Sequence, residues 1–186
     1  FLTWFAASRF KVAPIRVFGI AYLVFLVIFF GARYVYPSLD FPKAVSERQD
    51  AFRGLSGNSA VAVMPLEPTL KGFVNNAPQA FTLSTLRPFP SDVRHLLSLA
   101  AAIEINFLLL LLAIFIIWHR TTARLDPFIT FCIFLSLSLF LMVGYTVNFL
   151  GAIVRYRSIV LPFLVVPMVA LIDWDRAKDR LLKKIL

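Results

Sequence analysis

Three charged residues stand where charge is costly. Glu104 lies inside a long apolar run, and Arg155 and Arg157 flank Tyr156 between two further apolar runs. A carboxylate about eight residues into a membrane-length helix is about 12 Å from its end at ~1.5 Å per residue. Such a group must be paired, protonated or open to water. Arginine presents a planar fork of donors that suits a carboxylate or a phosphate. Two readings of the trio follow. In one, Arg155 or Arg157 pairs with Glu104 and ties helices together. In the other, the arginines hold the phosphate of a lipid-linked substrate while Glu104 orients them. Both hold at once if one arginine pairs and the other binds. Ser138, Tyr145 and Asn148 add a supporting polar stripe. Their spacings of seven and three put them on one side of a helix, expected to face protein rather than lipid.

Other candidates are plainer. Asp50, Glu67 and Asp92 could act as general bases, although an acid in a polar loop is usually just solvated. No catalytic residue is assigned. His95 and His119 stand at the two ends of one apolar run, with no partner at metal-ligand spacing. No glycine-rich phosphate loop, nucleophile elbow or HExxH motif is present. No metal and no cofactor are therefore expected. Cys132 is the single cysteine, set in an apolar run. It cannot form an internal disulfide and reads as a small apolar filler.

The elements that must position these residues are membrane helices. The chain has 186 residues, 60% hydrophobic and 16% charged, with Phe appearing 20 times. A soluble domain carries about 45–50% apolar and about 25% charged residues, and the long uncharged runs here are of membrane length. Four spans are predicted, at 17–36, 96–118, 128–150 and 158–174. Asp126-Pro127 suits the start of the third span. Pro162 and Pro167 should kink or locally unwind the fourth. The resulting fold class is all-α, a polytopic helix bundle. Ala100 and Ala101, one turn before Glu104, would let another helix approach closely.

The net charge of +9 sits mainly beside the spans, which points to anionic lipid head groups and topology rather than nucleic acid. Basic residues concentrate at Arg9, Lys11 and Arg16, in the 119–127 loop and in the tail. Both termini and that loop are therefore expected in the cytoplasm, with 37–95 and a 151–157 turn facing outward. The chain divides into 1–36, an N-terminal stretch with the first span; 37–95, an outward segment; 96–174, three spans; and 175–186, a basic amphipathic tail. That tail is expected to lie on the membrane surface or to extend the last span into water. The opening stretch does not read as a secretory signal, because its basic residues follow its apolar ones. It could be the tail of an earlier helix.

The 37–95 segment is too long for a plain connection. Ser46 and Gln49 fit a capping box for a short helix to about Leu55. Residues 60–64 are expected to be extended. Pro68 and Pro78 each fit the first turn of a short helix. Leu70, Phe73, Val74 and Phe81 would rest these helices on the membrane interface, and Arg87-Pro-Phe-Pro90 makes a rigid approach to the second span.

The stretch Gly151-Ala-Ile-Val-Arg155-Tyr156-Arg157-Ser-Ile-Val-Leu-Pro162-Phe163 resembles bacterial multi-pass envelope glycosyltransferases of the GT-C type and related polysaccharide-assembly proteins. These often carry Arg-Tyr-Arg before a proline-containing terminal helix. The resemblance implies that Arg155 and Arg157 face outward and hold polyprenyl phosphate. The family's catalytic acid sits in an early outward loop, and no matching motif is found here. The resemblance then implies the C-terminal part of such an enzyme, or a relative without its catalytic half, in the bacterial inner membrane. The expected partners are membrane lipids and a polyprenyl-phosphate-linked sugar. Two other functions fit the same residues: a non-catalytic subunit bound to other membrane subunits, and part of a transporter.

Overall fold

The computed structural model describes residues 13–93, 96–120 and 126–178, with Thr3, Phe5 and Arg9 before them. His95, Arg124 and the tail beyond 178 lie outside the described residues. The fold is an all-α membrane bundle. Its helices are α1 (Pro14–Val35), α2 (Phe41–Arg53), α3 (Leu70–Thr85), α4 (Leu96–Trp118), α5 (Pro127–Thr146) and α6 (Leu150–Leu171), with a 3₁₀ turn at Pro90–Asp92 before α4. Helices α1, α4, α5 and α6 are long and apolar enough to cross a membrane. The protein is thus a multi-pass membrane protein, and its lipid-facing flanks carry exposed side chains such as Leu23, Val27, Phe107 and Leu110.

Three spans lie close to their expected bounds; the fourth does not. Helix α6 begins at Leu150, so the 151–157 stretch is its first two turns and not a connecting turn. The connection from α5 is the extended stretch 147–149. The reason is tertiary. Asn148 O accepts from Val61 N at 2.8 Å, and Leu150 N donates to Ser59 O at 3.0 Å. The backbone around residue 60 thus satisfies groups that a helix start leaves open. Both internal prolines are accommodated within α6. The opposite ends of α4 and α6 are also joined: Arg120 N donates to Leu171 O at 2.9 Å and Asp173 N to Trp118 O at 2.7 Å. Helices α4 and α6 therefore run side by side in the same direction. At Ile172 the backbone is extended, and Asp173 then caps a short helical stretch at 174–178 by accepting from Arg176 N at 3.2 Å. Residues 174–178 therefore do not continue α6 directly.

Local capping follows residue chemistry elsewhere. Asp126 accepts from Phe128 N at 2.8 Å at the start of α5, as expected. Thr69 accepts from Gly72 N at 3.0 Å at the start of α3. Helix α2 differs from expectation: Asp40 is its N-cap and accepts from Lys43 N at 3.0 Å. Ser46 and Gln49 are interior residues that hold the 60–69 stretch instead. Ser46 Oγ donates to Leu66 O at 2.7 Å, and Gln49 Oε1 accepts from Leu66 N at 2.8 Å. Pro78 lies in the middle of α3 rather than in its first turn.

Residues 37–93 form a cap over one end of the bundle. Val45, Leu66 and Phe73 make one buried cluster with Phe29, Phe30 and Tyr145. Leu83, Val147 and Ile153 make another with Phe52, Val61 and Val143. Phe73 is therefore a core residue and not an interface anchor, whereas Leu70, Val74 and Phe81 are exposed. Helix α3 crosses α5 at backbone contact distance, because Gly144 has no side chain to hold off the Ala80 carbonyl.

Candidate functional site

On α6, two faces do different work. Ile153, Arg157 and Val160 are buried, at the i, i+4, i+7 spacing of one helical stripe. Leu150, Gly151, Val154 and Arg155 form the adjoining stripe and line a cavity of about 1260 Å³. Arg155 and Arg157 are two residues apart, hence about 200° apart around a helix of 3.6 residues per turn. One arginine enters the bundle while the other faces the cavity.

Arg157 has 1% of its side chain exposed. Its Nε donates to Glu104 Oε1 on α4 at 3.1 Å, and its Nη1 donates to the Arg87 carbonyl at 2.8 Å. One guanidinium thus joins α6, α4 and the approach to α4. Its Nη2 has no partner among the described residues. A buried charge must be compensated, and the paired carboxylate does this. Glu104 keeps 36% of its side chain exposed and also lines the cavity. The expected pair is therefore formed, with Arg157 as the partner.

Arg155 is exposed and forms no ion pair among the described residues. The cavity walls mix polar side chains, among them Asn58, Ser59, Asp92 and Glu104, with apolar ones such as Ala100, Leu150 and Val154. Arg87 Nη1 lies 3.5 Å from Asp92 Oδ1, and Asp92 Oδ2 accepts from Phe89 N at 2.9 Å. A polar head with an apolar tail fits such walls. An anion would meet Arg155 there, with donors suited to phosphate, while Arg87 is held by Asp92.

Other expected residues are placed elsewhere. Ser138 and Tyr145 face protein from α5, as expected, whereas Asn148 lies beyond the end of that helix in the extended 147–149 stretch; each bonds a different element, and none lines the cavity. Ser138 bonds the Tyr22 hydroxyl on α1. Tyr145 donates to Phe73 O on α3 at 2.8 Å, and Asn148 Nδ2 donates to Val61 O at 3.4 Å. Asp50 pairs with Arg53 at 3.0 Å on α2, away from the cavity, and Glu67 is exposed. Of the three loop acids, Asp92 alone lines the cavity. Ala101, Ala102 and Ile105 are buried on α4, and Ala100 and Ala101 line the cavity.

Arg87, Asn58 and Ser59 were not anticipated at the site. Arg87 carried a signal, as a cation in the proline-rigid approach to the second span. Asn58 and Ser59 carried none, since their place depends on pairing with residues about ninety positions away. Comparison with family models, curated proteins and solved structures returned no match to this chain.

Proposed function

We propose that this protein serves envelope glycan or lipid-linked sugar assembly in the bacterial inner membrane. In this reading it holds the phosphate of a polyprenyl-linked substrate in the cavity between α4 and α6. The 37–95 segment faces outward and both termini face the cytoplasm, in keeping with the basic residues at Arg9, Lys11 and Arg120 and in the tail. The observation that carries the reading is Arg155: an exposed guanidinium with no carboxylate partner among the described residues, lining a cavity whose walls mix polar and apolar side chains. Arg157 and Glu104 hold those walls together and Arg87 is engaged by Asp92, which leaves Arg155 for the ligand. The resemblance of 151–163 to envelope glycosyltransferases supports the same chemistry.

The test is Arg155→Gln in the purified protein reconstituted in lipid nanodiscs. Losing one charged hydrogen bond to phosphate costs about 1.5–3 kcal/mol, which corresponds to roughly 10- to 100-fold in affinity. Undecaprenyl phosphate binding should weaken by that factor while thermal stability stays within error, because Arg155 is exposed. Unchanged binding, with unchanged envelope glycan in cells, would remove the basis for the reading.

A further inference from the structure

A second groove of about 340 Å³ adjoins the cavity, and Val61, Gln79, Thr82, Arg87 and Phe89 are among the residues that line it. Val61 and Arg87 line both spaces. Arg87 stands between them: its guanidinium is 3.5 Å from Asp92 of the cavity and 5.2 Å from the centroid of the Phe89 ring of the groove. Small-ligand sites run from about 300 to about 1,000 Å³, so the groove fits a small group and the cavity a larger one.

The groove's lining has a specific chemistry. Phe89 keeps 36% of its surface exposed. An aromatic face is electron-rich and attracts the weakly positive C–H hydrogens of a saturated ring. Gln79 uses its Oε1 to accept from Met64 N at 3.3 Å, and its amide nitrogen has no partner among the described residues. Thr82 Oγ1 donates to Pro78 O at 2.7 Å, which leaves its lone pairs as acceptors. An aromatic platform with an adjacent donor and acceptor recognises a polyhydroxylated ring. The groove itself holds one cation, Arg87, already engaged by Asp92, so it is poorly suited to a second phosphate.

We infer that this groove is a carbohydrate subsite, which takes the sugar of a lipid-linked substrate whose phosphate lies in the cavity at Arg155. This rests on the reading proposed above and assigns the sugar a place in it. Phe89 stacks on the ring, Gln79 and Thr82 bond its hydroxyls, and Arg87 sits at the junction of sugar and phosphate.

The experiment compares binding of three probes to the full chain in nanodiscs: undecaprenyl phosphate, a panel of undecaprenyl-phosphate monosaccharides, and the free monosaccharides. At least one glycosylated lipid should bind more tightly than undecaprenyl phosphate. Phe89→Ala and Gln79→Ala should each cut that advantage about tenfold, with undecaprenyl phosphate binding unchanged. Phe89→Tyr should retain it, which separates loss of the platform from loss of the fold. Free monosaccharides should bind far more weakly than their lipid-linked forms; equal binding would overturn the linkage of the two sites. If no glycosylated lipid outbinds undecaprenyl phosphate, or if the variants weaken all lipids alike, the carbohydrate subsite is wrong. Failure of the phosphate reading is distinct: Arg155→Gln would then leave undecaprenyl phosphate binding untouched.

Discussion

Arg157 shows how an ionised group is kept inside a membrane-spanning helix. Its guanidinium is 1% exposed and survives there because Glu104 compensates its charge and the Arg87 carbonyl takes a second hydrogen. Removing one partner from a buried pair costs about 3–5 kcal/mol, whereas replacing the whole pair by apolar residues can be close to neutral. Glu104 is partly exposed, so Glu104→Ala should destabilise at the low end, by about 3 kcal/mol. Glu104→Leu combined with Arg157→Met should recover most of that loss. Denaturation of the four cycle members in detergent micelles checks this. Additive single effects would show that the two groups are not coupled. All three charged residues stood out in the sequence, since charge in an apolar run is rare. Their division of labour did not, because it depends on which face of α6 each one occupies.

At the scale of elements, backbone contact does what hydrophobic pattern alone does not. Helix α3 reaches α5 because Gly144 leaves room for the Ala80 carbonyl, and a methyl group there would collide with it. Overpacking of this kind costs about 1–3 kcal/mol, so Gly144→Ala should lower thermal stability by about that amount. Gly31→Ala is the matched control. It lies in α1 with nothing near its added methyl, and should be neutral or slightly stabilising through higher helix propensity. Equal stability of the two variants would mean that α3 does not lie where it is described. The start of α6 follows the same principle. Neither Phe149 nor its neighbours cap that helix with a side chain, so no capping signal marks it in the sequence. Its first donor is satisfied by Ser59, supplied from the cap.

The described residues form four candidate spans with a folded cap at one end, and joins between α4 and α6 at the other. In the proposed orientation, the cap and the cavity mouth beside it lie outside the cytoplasmic membrane. Leu55→Cys, at an exposed cap position, should then react with a membrane-impermeant maleimide in intact spheroplasts. Arg120→Cys should react only after permeabilisation. The native Cys132 is buried and should give little background. The opposite labelling pattern would invert the topology and place the cavity on the cytoplasmic side.

Chain composition by itself determined that lipid is the solvent of this protein, and where most of its spans lie. Long uncharged runs carry that information locally, since a backbone in hydrocarbon must close its own hydrogen bonds as helix. It also marked Glu104, Arg155 and Arg157 as residues needing an account. Tertiary structure decided the rest. It turned 151–157 from a presumed turn into helix, moved Ser46 and Gln49 from a cap to a clamp on Leu66, and drew Phe73 into the core. It also brought Arg87, Asn58 and Ser59 to the cavity. Each of these depends on backbone groups meeting across long stretches of chain. Such meetings leave no periodic trace in the residues that make them.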